Sequence, residues 1–330
     1  MTTVAETATT AALLTRVAAI RAAELGSPRA AAAAALPLFM RVGSRLPVRP
    51  ADRAVHESAR RGTIRARGRE IVTYEWGSGG DTVLLVHGWR GRASQFAPIV
   101  RELRSEGFRL VAFDAPANGA SAGRRSDIRD WTAAIEAVQA REGRFHAVIG
   151  HSFGAMAARG AVHEGLSTGA VVAIAGPAGA RYLVDAFSGR IGIREATADA
   201  LAERFARRIV PDLADPWTRF DGVAAPLPAS VPLLVVHDRG DREVAVGEGI
   251  RLHEAHGDRS RLVLTEGAGH NRVLGADATL DAVTAFATRG LDGLDALRRL
   301  GGSGGTWAVS ETAPQTAVQS VAPRAASTRR

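Results

Sequence analysis

The sequence predicts an α/β fold: a mostly parallel sheet flanked by helices, with a helical cap inserted between two late strands. Two observations carry this. From residue 82 onward, short apolar runs alternate with stretches of helical periodicity. Runs that are apolar along their whole length belong to strands covered on both faces, the habit of parallel sheets. One interval, 176–230, breaks the alternation. It is too long for a single crossover helix, and it carries Leu201, Phe205 and Ile209 at i, i+4, i+8 with Tyr182, Phe187 and Trp217. That pattern reads as helices laid over the carboxyl edge of the sheet, a cap at about 177–225.

Taken in order, residues 1–25 are rich in Ala and Thr, with Leu13, Leu14, Val17 and Ile20 at amphipathic spacing. A second helix is expected over Arg29–Met40, interrupted by Pro37, and two prolines in 46–55 mark a linker. Residues 1–62 therefore form a helical extension with a linker. Thr63–Arg67, Gly68-Arg69 and Glu70–Trp76 read as a hairpin. Strands follow at Thr82–His87, Arg109–Phe113, Ala147–Ile149, Ala170–Ala175, Val231–Val236 and Arg261–Leu264. Helices are expected at Ser94–Glu106, Asp127–Ala140, Ala155–Val162, 245–256 and 276–289. The main domain spans 63–300. Residues 301–330, made of Gly, Ser, Thr, Ala and Pro with few large apolar groups, form a disordered tail.

Composition narrows the function classes. The 330 residues are 46% hydrophobic, which fits a soluble chain with a sizeable core. There is no cysteine, hence no disulfide, thiolate nucleophile or cysteine metal site. The net charge of +8 lies in the flanks: residues 1–69 carry 12 Arg against 4 acids, whereas 70–297 carry 25 Arg against 29 acids. The flanks show no interleaved aromatics, so solvated surface is preferred over nucleic-acid binding. The apolar run Ala30–Met40 is too short to span a bilayer, so no stable membrane anchor is expected, and a cytoplasmic location is.

The chemistry concentrates at Gly150-His151-Ser152-Phe153-Gly154. A serine between two glycines, after an apolar strand and before an alanine-rich helix, is the context of a strained strand–turn–helix that lifts the hydroxyl above the sheet edge. A serine hydroxyl needs a base and an acid that orients the base. On this kind of turn both follow downstream, acid first. Asp241 lies beyond the strand that runs through Val236, where a loop has left the sheet and can turn back. Asp238 is its nearest competitor and Glu243 a weaker one. His270, in Gly267-Ala268-Gly269-His270-Asn271, is the base candidate: a histidine after a late strand, on a glycine loop, downstream of the acid. His253 and His256 on the helix 245–256 are expected to face solvent, and their pairing with Asp258 as a metal site lacks a third ligand. Two backbone N–H groups must face the developing oxyanion. Phe153 supplies one, and the Trp89 amide in Val86-His87-Gly88-Trp89 the other, with Gly88 permitting close approach. His87 is expected to be structural, and Arg90 and Arg92 exposed loop residues.

At these residues the chain resembles the α/β-hydrolase superfamily. Four segments match in order: His87-Gly88-Trp89, Phe113–Ser121, the elbow at 150–154, and Asp241 with Gly269-His270. The second is similar to the family's D-x-P-G-H-G-x-S turn, with Ala117 and Asn118 in place of Gly and His. The resemblance covers about residues 63–290. The family's H-G-x-x-D pattern, matched by His237–Asp241 with Asp238 for the Gly, implies Asp241 over Asp238. A serine elbow also separates this chain from haloalkane dehalogenases and soluble epoxide hydrolases, which carry Asp there. The resemblance implies a serine hydrolase acting on a carboxylic ester of a small-molecule acyl substrate, with no cofactor and no metal. Acyl transfer or C–C bond hydrolysis on the same three residues, or a ligand-binding protein with little turnover, are the alternatives.

Overall fold

A computed structural model describes residues 4–209, 211, 217–300 and 306–308. The sheet starts with a hairpin, β1 (Arg60–Ala66) and β2 (Arg69–Trp76). Its two-residue turn, Arg67-Gly68, has positive φ at both positions, as a type I′ turn requires. Then come β3 (Thr82–Val86), β4 (Arg109–Asp114), β5 (Ala147–His151), β6 (Val171–Ile174), β7 (Leu233–Asp238) and β8 (Ser260–Thr265). Every residue of β3, β5, β6 and β7 is buried, and the six strands from β3 to β8 pair in parallel. Within β3 the strand period of two divides the residues between cores: Val83 and Leu85 face one, Leu84 and Val86 the other.

Helices cover both faces. Beyond the first three, described below, α4 (Ala97–Ser105) and α11 (Asp277–Arg299) pack on one side, and α5 (Ile128–Glu142), α6 (Phe153–His163) and α9 (Val246–His256) on the other. The expected helix 276–289 continues past Gly290, whose φ of +59° marks a kink between two helical stretches. Between β6 and β7 lie α7 (Ala180–Ile191) and α8 (Glu195–Ile209), the expected cap helices. A bridge between Gly179 and Asp221, with the Gly222 N–H donating to Ala178 O at 2.9 Å, closes the base of the insertion. A short helix, α10 (Gly269–Arg272), follows β8.

The sheet order is β1-β2-β4-β3-β5-β6-β7-β8, extended by a final strand. The order reverses between β3 and β5. Loops leaving the carboxyl ends of those two strands diverge, which opens the crevice where open α/β sheets place their sites. The elbow follows β5 and the Trp89 loop follows β3.

Three expectations about the flanks need correction. The N-terminal extension is helical, with α1 (Val4–Gly26), α2 (Pro28–Phe39) and the short α3 (Arg53–Glu57), but α1 does not bury its whole apolar stripe: Leu13 and Leu14 are exposed and Ile20 is buried. Ile20, Ala31, Ala32, Ala35 and Leu36 belong to the same core as the sheet and cap, and α2 packs along α8. Nor does Pro37 interrupt α2, which runs through it to Phe39. Pro37 sits in the last turn, so only the bond to Ala33 O is forfeited. In the tail, Thr306–Ala308 form β9, antiparallel to β8. Without β9, β8 would be an edge with unpaired backbone groups, and edges recruit short strands of β-favouring residues such as Thr and Trp. The remainder of the expected disordered tail, 301–305 and 309–330, lies outside the described residues. Among the described residues, no helix is long and apolar enough to cross a membrane.

Candidate active site

Ser152 sits at φ +54°, ψ −123°, between β5 and α6. Such a conformation costs a non-glycine residue about 1–3 kcal/mol and persists only when the surroundings over-determine it. They do: the Ser152 N–H donates to Ile174 O at 2.8 Å, and α6 begins at the next residue. The flanking glycines are steric necessities. A Cβ on Gly150 would fall on the Ala155 backbone, and one on Gly154 on the carbonyls of Val86 and His87. Gly88 is equally constrained, since its Cβ would lie 2.8 Å from that of Ser152.

The structure brings Ser152, His270 and Asp241 together, from loops after three different strands. His270 Nε2 lies 2.9 Å from Ser152 Oγ, and His270 Nδ1 lies 2.8 Å from Asp241 Oδ2. The Asp241 carboxylate is fully buried. Burial alone would raise its pKa. Contacts from His237 and His270, the imidazole charge and the Val244 N–H outweigh that and hold it well below the usual carboxylate range. Its second oxygen accepts from the Glu243 and Val244 N–H groups at 2.8 and 3.0 Å. An ionised, fixed carboxylate behind Nδ1 sets the imidazole tautomer with its lone pair on Nε2, toward the serine.

The runners-up go elsewhere. Glu243 is exposed and pairs with Arg190 of α7 at 2.8 Å. Asp238 is buried and organises the histidine loop, accepting from Thr265 Oγ1 at 2.7 Å and from the Ala268 N–H at 2.9 Å. Two further residues hold that loop, and sequence reasoning passed over their part in it. His151 Nε2 donates to His270 O at 2.8 Å. Burial, with His270 beside it, pushes His151 down to about 3, so it stays neutral. Gln95 Nε2 donates to Asn271 Oδ1 at 3.3 Å. The signal for His151 was its place directly before the serine; Gln95 had none.

Phe153 and Trp89 also converge on the elbow. Phe153 opens α6, where a first-turn N–H has no carbonyl of its own helix to reach. Trp89 lies in a turn closed by the Gly91 N–H on Gly88 O at 3.0 Å, which leaves the Trp89 amide outside that bond. The rings of Trp89, Phe153 and Trp131 form a cluster, with centroids 4.8–5.5 Å apart and the two indoles stacked. Trp131, on α5, carried no local signal of this role; its Nε1–H donates to His87 O at 3.1 Å. His87 is structural, as expected. Its Nε2 accepts from the Ala115 N–H at 2.9 Å, and Nδ1 donates to Gly88 O at 2.7 Å.

A family model described as alpha/beta hydrolase family matches residues 83–286, well over half of the chain. The chain belongs to the alpha/beta hydrolase family. A comparison with curated proteins finds no match. Among solved structures, mouse alpha/beta hydrolase domain-containing protein 10 is similar at 15% identity, covering 72% of this chain and all of its own, with a TM-score of 0.56. An esterase from Pyrococcus furiosus is similar at 20% identity over 74% of this chain and 98% of its own, TM-score 0.55. A bacterial membrane phospholipase A is similar at 18% identity over 76% of this chain and 90% of its own, TM-score 0.51. These likenesses extend the fold assignment.

One reading of this hydrolase is corrected by its packing. His253 and His256 do not face solvent; both are buried under the sheet on α9. His256 is spanned by bonds, Nδ1 to Leu252 O at 2.7 Å and Nε2 from the Leu227 N–H at 3.0 Å. A polar-looking helix hid this because its inward face carries the two imidazoles beside Leu252. Arg90 is exposed, as expected, and Arg92 is half-buried; they bond to the carbonyls of Ser44 and Leu46 at 2.9 and 3.2 Å. Among the described residues, no group of three or more His, Cys, Asp or Glu could hold a metal ion.

Proposed function

We propose that this alpha/beta hydrolase cleaves a carboxylic ester with Ser152 as nucleophile. The observation that supports the reading above all others is the hydrogen-bonded chain Ser152 Oγ–His270 Nε2 and His270 Nδ1–Asp241 Oδ2. His270 takes the hydroxyl proton at Nε2 while Ser152 Oγ attacks the ester carbonyl carbon. The carbonyl π pair moves to oxygen, where the Phe153 and Trp89 amides stabilise it. Asp241 stabilises the imidazolium through Nδ1. The oxyanion collapses, the ester C–O bond breaks, and Nε2 returns its proton to the departing alkoxide. Water, deprotonated by His270, then attacks the acyl-enzyme, releasing the acid and restoring Ser152. The apolar Trp89–Phe153 wall beside the serine suits an apolar acyl or alcohol group.

The test is hydrolysis of p-nitrophenyl esters of graded chain length, with a fluorophosphonate as covalent probe. Ser152→Ala is expected to lower kcat/KM by about 10⁴-fold or more and abolish labelling, and Asp241→Asn to lower kcat by about 10⁴-fold. A Ser152→Ala variant as active as the parent protein would refute the assignment.

A further inference from the structure

The loop that carries Trp89 contains an unexplained expense. Arg90 occupies φ +62°, the left-handed region, in a turn that already has a glycine on either side at 88 and 91. A non-glycine residue there is strained unless something holds it. What holds it comes from far away in sequence. The Leu46 N–H donates to Arg90 O at 3.1 Å, Arg90 Nε donates to Ser44 O at 2.9 Å, and Arg92 Nη1 donates to Leu46 O at 3.2 Å. The same segment is fixed to the loop after β4: Arg45 donates to Gly119 O and Gly123 O at 3.1 and 3.0 Å, and the Val42 N–H to Arg124 O at 3.3 Å. Its other end is the last turn of α2. There the Phe39 ring meets the rings of Phe187 and Phe205, one from each cap helix, edge-on with centroids 5.2 Å apart.

We propose that residues 39–46 are a strap that joins the cap to the Trp89 loop, and that Arg90 is a positioning residue: its bonds to Ser44 and Leu46 fix the Trp89 amide for the oxyanion. The inference rests on the proposed serine-hydrolase reading. A turn forced to φ > 0 at Arg90 has one orientation for the preceding peptide only while it stays tethered. Once the tether is cut, the Arg90 backbone relaxes toward negative φ and the Trp89 N–H swings with it. The Ser152–His270–Asp241 chain, built on other loops, is left in place. The strap therefore acts on the step that develops oxyanion charge and not on binding of the ester.

The experiment compares Arg90→Ala and Arg90→Lys with the parent protein on a p-nitrophenyl ester. It reads kcat and KM separately and measures amide hydrogen exchange over residues 86–92. Removing an oxyanion donor outright costs about 10²–10³ in kcat. Displacing it through Arg90→Ala is expected to lower kcat by about tenfold or more, leave KM within about twofold, and speed exchange at 88–91. Arg90→Lys, whose ammonium can still donate to Ser44 O, is expected to recover most of kcat. An unchanged kcat in Arg90→Ala, or a loss shared equally by the lysine variant, overturns the strap. Should Arg90→Ala fail to fold, Arg92→Ala, which removes the bond to Leu46 O and leaves the Leu46 N–H on Arg90 O, carries the same kcat, KM and exchange comparison. Ser152→Ala separates the two ideas. If that variant keeps the parent activity, the hydrolase reading falls, and unaltered exchange at 88–91 in Arg90→Ala would then remove the strap on its own.

Discussion

At Ser152, strain, charge and polarity are all compensated by neighbours: the left-handed backbone by Ile174 O and α6, the hydroxyl by His270, and the buried Asp241 by two amides and an imidazole. His253 is the contrasting residue. It is buried, burial lowers its pKa, and neither ring nitrogen has a hydrogen-bond partner among the described residues. A buried polar group without a partner costs about 1–3 kcal/mol, and an apolar side chain of similar volume avoids that cost. His253→Leu is therefore expected to raise the unfolding free energy by about 1 kcal/mol in urea, with hydrolysis unaffected because the residue lies on α9, away from the elbow. A destabilised His253→Leu would mean that the imidazole is satisfied in solution, for example by a buried water.

Among the elements, α2 has the most consequential placement. Ser27 caps it, its side chain accepting from the Ala30 N–H at 3.3 Å, and Pro28 stands in its first turn, where a missing N–H is harmless. Its buried stripe is nearly all alanine, Ala31, Ala32 and Ala35, which lets its backbone approach α8 closely. A larger side chain has nowhere to go. Ala35→Leu is expected to cost about 1–3 kcal/mol by overpacking. It should also loosen α2 from the cap, so that limited proteolysis cuts sooner within residues 40–50. If instead stability holds and the protease pattern is unchanged, α2 is not seated as described.

Over the whole molecule, buried neutral histidines set the response to acid. His151 is pushed down to about 3 and His256 to about 4, and His87 and His253 are also lowered, in each case chiefly by burial. Their unfolded counterparts titrate near 6.5. Below that pH the unfolded chain binds protons that the folded chain refuses, so stability is full above about pH 6.5 and is lost as pH falls toward 4 and 3. For His151 alone the loss is on the order of 3 kcal/mol at pH 4. Carboxylates with lowered pKa, such as Asp238 and Asp241, add to the loss at still lower pH. Urea titrations between pH 8 and 4 should show the midpoint falling throughout the range below 6.5; a flat profile down to pH 5 would contradict this.

Much of the fold was legible because local chemistry forces it. Fully apolar runs made the parallel strands, two runs with β-branched and aromatic residues either side of Gly68 made the hairpin, and Gly150 and Gly154 flanked a turn that admits no Cβ. Chain order then selected Asp241 and His270 for the candidate site, since each stands just past the end of a strand. Other features depend on contacts between residues far apart in sequence, which no local pattern encodes. Trp131 beside Trp89 and His151 on the His270 carbonyl belong here, as do the inward turn of His253 and His256 and the pairing of Thr306–Ala308 with β8. The flanks differ most. By itself the sequence determined that two helices precede residue 41, because helical periodicity is local. Only the tertiary structure decided that α2 lies along the cap helix α8, that Leu13 and Leu14 stay exposed while Ile20 is buried, and that Ser44 and Leu46 hold Arg90. Burial and long-range hydrogen bonds are properties of the assembled chain and are not visible in any one segment of it.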